Sequence, residues 1–530
     1  MRRNPLIGLS VLLLAGLVAD TASAQPNLRP GTDVSLGILG PADALAHIGS
    51  FPNGEMCLAM ATTSCNVGSV NVPWLQAMNA DHPMIAFLVT RETGNRMVQI
   101  SDHSYLKHGF FALSNSQCTP CQQPSNGTFL GVGCSDTYGV GNNGDNYWLA
   151  PTDEIDPWTG AWEPICSYFD QGFPPQNPPN DCNGIKSSIT PADALGTRVR
   201  ILDADLDSPG SRFHFQAHYV IIGEPESVRE NNLGSRELVP NWNGNSWNIN
   251  VPNGGNPLIE GSVLQQWTGA TVSSNTNGNA DGRVYLGFKV IDNGNGTWRY
   301  EYALHNRDNA RGIKSLRIPV PAGVNLTNVG FHDIDQNVGN DWSFSQPAGE
   351  AVWSTTSNGL AWNTMYNFWF DADAPPSSCD LATVEQDAAG PGTPSFTINA
   401  AAPGAAVAYG AGEVGSTGNT AVMGTEGGAP TSTNPNFAVT VSGVPTNGFT
   451  FLLSGDNSAD ITHPWGKIYV AGPNFFRTVT TTNGLGEASV VIPISPAMVG
   501  TTRYYSYVSR DPGFGGNLQS ANGLAVTFCP

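Results

Sequence analysis

The chain reads as all-β: a disulfide-stapled N-terminal β domain followed by two β-sandwich modules of the immunoglobulin-like kind. Three observations predict this. Apolar and polar residues alternate with period two in run after run, while long helical periodicity is hard to find. The runs are punctuated by turn chemistry, with 61 Gly, 39 Pro and recurrent Asn-Gly pairs. Seven of the nine cysteines, Cys57, Cys65, Cys118, Cys121, Cys134, Cys166 and Cys182, fall in the first 220 residues, and only Cys379 and Cys529 come later.

The first 24 residues set the compartment. Arg2 and Arg3 precede an apolar run from Leu6 to Ala19, and the small residues Ala22-Ser23-Ala24 close it. This is the pattern of a signal peptide cleaved after Ala24, so a secreted, extracellular protein is expected. No later stretch has the eighteen or so apolar residues a membrane helix needs. The 530 residues suffice for three or four domains with cores of their own. Charged residues make up only 12%, and 43 acids against 23 bases give a net charge of -20. Such a surface is a poor partner for nucleic acid or anionic lipid, which need clustered Lys and Arg.

Residues 25–225 form the expected N-terminal domain. Its clearest strand runs from Arg212 to Ile221, with Phe213, Phe215, Ala217, Tyr219 and Ile221 on one face and Arg212, His214, Gln216 and His218 on the other. In an oxidising compartment most of the cysteines pair. Cys57 with Cys65, around a short loop, and Cys379 with Cys529, at the ends of successive modules, are the expected bonds. Cys118-x2-Cys121 with Cys134 and His108 compose the alternative, a Cys3His zinc set. Nine is an odd number, so at least one thiol is left over.

Strand geometry limits what the histidines can do. His103 and His108 are five apart, on opposite faces of a strand and about 140° apart on a helix. His214 and His218 share a face but stand roughly 13 Å apart, too far for one ion. A histidine site must therefore be assembled across strands, for instance from His103, His108 and His218 with His332; three imidazoles with an open position suit zinc hydrolysis or copper redox chemistry. Asp203, Asp205 and Asp207 have the one-three-five spacing of a calcium loop, but Ser208 stands where its glycine belongs and no glutamate closes it. Ser135 and Asp136 in GVGCSDTYG are read as a tight Gly-rich turn with exposed side chains. Asp153, Glu154 and Asp156, among Trp148, Trp158 and Trp162, are candidates for glycoside cleavage and sugar stacking.

Residues 226–385 read as a β-sandwich. Within it Trp298 to His305 is expected to bury Trp298, Tyr300, Tyr302 and Leu304 while Arg299, Glu301 and His305 point away, after an Asn-Gly turn. Residues 386–435, rich in Gly, Ala, Pro and Thr, are too poor in large apolar side chains for a core of their own and read as linker or loops. Residues 436–530 carry short strands in close succession, as in an immunoglobulin-like sandwich.

KHGFFAL followed by GVGCSDTYG, with GFHDID and YNFWFDADAPP further on, resembles a family of large secreted bacterial multi-domain β proteins of unassigned activity. The tail, from YVSRDP to Cys529, is similar to the trailing β module of many such exoproteins. The resemblance implies secretion and a β architecture and carries no catalytic residue across. GxSxG, HExxH, Walker and dinucleotide motifs are missing from the sequence. The first reading is therefore a secreted binding or surface-structural protein whose partner is a polysaccharide or cell-surface polymer. The alternatives are a metal-dependent enzyme, with zinc or copper held in the N-terminal domain, and a carbohydrate-active enzyme built on 147–163.

Overall fold

The computed structural model describes residues 27–528 apart from 77, 172–181, 253–256, 279–280, 322–323, 348, 391, 405, 428–429, 431, 433, 465 and 500, and apart from the side chains of 377–380 and 407. The expected signal peptide and the expected Cys379–Cys529 bond lie outside the described residues. Among those residues the longest helical element is a seven-residue 3-10 segment, Glu226–Asn232. The protein is all-β, and no described helix is long and apolar enough to cross a membrane.

The first unit packs two sheets. One places Val34–Ile48, Glu55–Asn66 and Val199–Leu202 side by side, with Ser135–Tyr138 also paired to Glu55–Asn66. The other runs Trp247–Asn250, Leu233–Trp242, Arg212–Val220, Met84–Thr93, Tyr105–His108 and Leu149–Pro151. Leu233–Trp242 and Trp247–Asn250 lie beyond residue 225, yet they belong to this sheet. Phe213, Phe215, Ala217, Tyr219 and Ile221 all enter the core between the sheets, as their alternation predicts.

Three disulfides tie this unit: Cys65–Cys118, Cys121–Cys134 and Cys166–Cys182. The expected Cys57–Cys65 bond is corrected. Both residues lie on the continuous strand Glu55–Asn66, where eight residues span about 26 Å. Cys57 is instead a buried free thiol. The Cys3His zinc set is corrected as well, because Cys118, Cys121 and Cys134 are all oxidised and offer no thiolate.

The second unit is a sandwich of two five-stranded antiparallel sheets. One contains Arg283–Asp292, Trp298–Asn306 and Thr364–Ala372; the other contains Ile313–Pro319, Pro376–Gln386 and Ser395–Pro403. Gly294 and Gly296, at φ 74 and 82, make the turn into Trp298–Asn306. The tract 386–435 is more ordered than its composition suggests: Ser395–Pro403 joins this sandwich, while Ala406–Tyr409 and Val422–Glu426 join the last module. That module packs a five-stranded sheet, containing Phe449–Gly455, Thr502–Arg510 and Leu518–Thr527, over a three-stranded one.

The first two units are fused along a polar seam. His214, Gln216 and His218, the polar face of their strand, are buried, and so on the opposing strand are Glu301 and His305, expected to point away. Gln216 accepts a hydrogen bond from the Val263 amide at 2.7 Å and donates to Asn363 Oδ1 at 3.3 Å. Asn363 and Asn367 donate to the backbone carbonyls of Phe87 and Met97. Arg96 makes a bidentate pair with Glu301, both bonds 2.8 Å, while its guanidinium stacks on Trp369. At one end Asp308 receives Arg229 at 3.2 Å and Arg307 at 3.0 Å. Burial opposes the Asp308 charge, but Arg307 and Arg229 outweigh it and hold the carboxyl down at about 2.

Removing one member of such a buried set strands the others. Asp308→Ala is therefore expected to destabilise the first two units by about 3–5 kcal/mol in urea unfolding. A loss below about 1 kcal/mol, the range of an exposed pair, would contradict the burial of this network.

Candidate functional site

The four histidines nominated as a metal set separate into three places. His108 Nδ1 is hydrogen-bonded to His82 Nε2 at 2.8 Å, and its ring packs against Trp162 and Phe169. His103 and His218 both meet the Trp362 ring, at 5.4 and 6.2 Å between centroids, inside the seam. His332 ends the strand Leu326–His332 and is exposed. Among the described residues no three His, Cys, Asp or Glu side chains gather to hold a metal ion. His305, which lies close to His103 and His218, was legible in the sequence only as an outward-facing residue.

The three aspartates nominated for calcium also disperse, because Asp203–Leu206 is a helical turn rather than an open loop. Asp203 is buried and accepts from His47 Nε2 at 2.8 Å, the Gly54 amide at 3.1 Å and Trp247 Nε1 at 2.8 Å. Asp205 pairs with Arg91 at 2.9 Å, and Asp207 is exposed.

The KHGFF and GVGCSDTYG segments do meet, but as core. Lys107 is fully buried, donates to the His108 carbonyl at 2.8 Å and lies over the rings of Phe110 and Tyr138 at 4.3 and 4.5 Å. Burial pulls its ammonium down to about 7, against the pull of Asp136 and Asp145. The expected exposed turn at Ser135 and Asp136 is corrected: both are fully buried on the strand Ser135–Tyr138. Asp136 accepts from Trp74 Nε1 at 2.9 Å and from the Leu113 amide at 2.8 Å, which fixes the chain on both sides of the motif.

The acidic and Trp-rich stretch is likewise structural. Trp158 and Trp162 are buried and present no face to a ligand. Asp156 Oδ1 caps the following turn by accepting from the Trp158 and Thr159 amides. Glu154 accepts from the Tyr168 amide and from Trp162 Nε1, and burial raises its carboxyl to about 7. Asp153 stays exposed.

What Glu154 supports is more informative. Tyr168, held by it, forms one wall of an open cavity of about 700 Å³, and Tyr105 forms another. The two rings are 6.0 Å apart, edge to face. Asp102, Ser104, Thr197 and Arg200 supply polar groups to the lining. These are fixed in advance. Asp102 accepts from the Arg200 amide at 2.9 Å, Arg200 Nη2 pairs with Asp193 at 2.7 Å, and Thr197 donates to Asn146 at 3.0 Å. The Cys166–Cys182 disulfide closes the chain beside Tyr168, where Asp170 accepts from the Cys166 and Gly184 amides. Tyr168 is itself largely buried, at 9% exposure, so the half-buried Tyr105 ring offers the accessible apolar face; beside fixed donors and acceptors it suits a polar ligand with C–H faces of its own.

No family model and no curated protein matches the chain. Among solved structures it is similar to the major pilin subunit of Bacillus cereus, at 8% identity and a TM-score of 0.17 over 62% of this chain and 80% of that one. It is also similar to a tetra-tandem repeat in the extending region of a large adhesion protein, at 9% identity and a TM-score of 0.11 over 92% of this chain and 72% of that one. Likeness at that level carries no argument about function.

The raised Glu154 carboxyl gives a signed expectation. Its protonated form is favoured in the folded state, so its contribution is complete below about pH 4.5 and is lost as pH rises through about 7. Glu154→Gln keeps an acceptor for the Tyr168 amide without the charge. Thermal unfolding at pH 5 and pH 8 should show a smaller loss of stability on going to pH 8 in the variant than in the parent. An equal loss in both would contradict the burial of this carboxyl.

Proposed function

We propose that the protein is a secreted extracellular binding protein of the surface-structural kind, whose first unit holds a neutral polysaccharide or comparable cell-surface polymer in the cavity walled by Tyr105 and Tyr168. The observation that carries this reading is the chemistry of that cavity: the half-buried Tyr105 ring, backed edge to face by the largely buried Tyr168, beside fixed polar groups, with Asp102 and Arg200 already held by protein partners. Pyranose C–H faces pack on phenol rings, while hydroxyls exchange hydrogen bonds with groups that need no rearrangement. The open form suits a chain passing across the surface better than an enclosed small molecule. A net charge of -20 disfavours polyanions at the same surface.

Secretion is supported by the signal-peptide pattern of residues 1–24 and by three disulfides, which persist in oxidising compartments. The resemblance of KHGFF and GVGCSDTYG to large secreted bacterial β proteins supports the same reading.

Affinity electrophoresis through gels containing single polysaccharides tests it. The parent protein should be retarded by at least one neutral polymer and not by acidic ones, and Tyr105→Ala should weaken that retention about tenfold, the effect of roughly 1.4 kcal/mol of lost stacking. Migration unchanged by every neutral polymer, or retention untouched by Tyr105→Ala, would overturn the proposal.

A further inference from the structure

Three of the nine histidines, His103, His218 and His305, cluster in the seam between the first unit and the second sandwich, and a fourth, His214, is buried further along it with neither ring nitrogen bonded among the described residues. His103 and His218 both meet the Trp362 ring edge to face, 5.4 and 6.2 Å between centroids. His305 stacks on Tyr285 at 6.0 Å and exchanges a 2.7 Å hydrogen bond with Ser262 through Nδ1. One ring nitrogen on each, His103 Nε2, His218 Nδ1 and His305 Nε2, is buried and bonds to nothing among the described residues.

Such nitrogens tolerate a lone pair far better than a proton. An imidazolium presents two N–H donors and a full charge, and a buried, unanswered charge is much costlier than a buried neutral ring. The charged groups that face these rings offer no relief. Asp308 faces His218 and His305, but its carboxylate is committed to Arg229 and Arg307. Arg307 faces both rings and Arg229 faces His218, and each repels a positive charge; His218 and His305 would also repel each other, as would His103 and His305.

We propose that this seam is an acid-opened latch: it stays closed while the three imidazoles are neutral, and it opens on acidification because only separated faces let the rings take up protons and water. The consequence for the molecule is a change in how its first two units are joined, with the last module left as it was.

The sign follows from where the protons bind. Burial holds His103, His218 and His305 at about 3, against 6.5 for a solvated ring. The open state therefore binds the extra protons, and closure weakens as pH falls below 6.5 and goes on weakening towards 3. Glu224, which lies beside Arg229, works the other way. Burial raises it to about 7, so the closed state holds its proton between that value and 4.5. His214, held at about 4 by burial in the same seam, adds a fourth proton on opening; one against four leaves about three, or about a thousandfold change in the closing equilibrium per pH unit near pH 5. Asp308, at about 2, does not titrate in this window.

Hydrogen exchange read by mass spectrometry on the intact protein at pH 7.5, 5.5 and 4.5, corrected for the intrinsic rate at each pH, tests the latch. Amides of Arg212–Val220, Trp298–Asn306 and Thr364–Ala372 should lose protection as pH falls. Leu518–Thr527, in a module whose single histidine is His463, should keep its protection. His305→Asn, which retains a partner for Ser262, should reduce the pH dependence at the seam by about tenfold per pH unit. Seam protection that is unchanged down to pH 4.5 overturns the proposal, and so does a parallel loss throughout the last module. The parent profile decides even if the variant fails to fold.

Discussion

The architecture hangs on burying a face that is not apolar. The strand Arg212–Val220 gives one side to the core of the first unit and the other to a neighbouring sandwich, so Gln216 and His214 leave water together with His218. A buried amide left without a partner costs about 1–3 kcal/mol, so the seam favours the register that answers Gln216 and Asn363. Gln216 is answered by Val263 and Asn363, and Asn363 in turn by Phe87. A slip of one residue would turn Phe215 and Ala217 outward and leave these bonds unmade at once. The first two units therefore sit in a single relationship, fixed by hydrogen bonds where apolar packing alone would tolerate sliding. A small apolar cluster, Leu88, Met97, Leu264, Trp267 and Met365 among it, adds contact without adding that specificity.

The same strand shows how much could be read from the sequence. Alternation identified which side chains share a face, both in Arg212–Val220 and in Trp298–Asn306, where Tyr300, Tyr302 and Leu304 enter the sandwich core as expected. What alternation cannot say is whether a polar face meets water or another polar face. His214, Gln216, Glu301 and His305 look like solvent-facing residues because their chemistry is polar, and their partners lie far along the chain. The candidate site had the same difficulty. Tyr105 and Tyr168 stand 63 residues apart and come together through loops whose course depends on Glu154, Asp170 and the Cys166–Cys182 bond. Cys57 and Cys65 misled for a local reason: a short sequence separation suggested a loop, whereas MCLAMATTSC is a β-rich run that forms one extended strand.

Motif-like segments deserve the same physical reading. KHGFF and GVGCSDTYG look like an active-site signature because they combine Lys, His, Cys, Ser and Asp. In the folded chain each of these is occupied: Lys107 by rings and a carbonyl, His108 by His82, Cys134 by Cys121, Ser135 by the Gln117 amide, and Asp136 by Trp74 and Leu113. A buried charge with all its partners supplied is a means of specifying one arrangement, since any competing core would strand it. The fold itself is then a sufficient physical reason for these residue types.

Charge is scarce in this chain, at 12% of residues, and some of it is inside. Lys107, Asp136, Asp203, Arg229, Arg307 and Asp308 are buried; Arg96 with Glu301, and Arg311 with Asp281, form pairs in which at least one member is buried. Internal charge acts over short distances and gives specificity; the outer surface keeps fewer ions than the composition already suggests. Amides, hydroxyls and aromatic edges are left to meet the surroundings, as in the cavity of Tyr105 and Tyr168. A hydrogen bond between such neutral groups and a hydroxyl-rich ligand would replace one to water without the desolvation of a full charge, which is the physical ground of the binding proposal above. The distribution of charge between interior and exterior thus bears on the fold and on the class of ligand through a single physical cause.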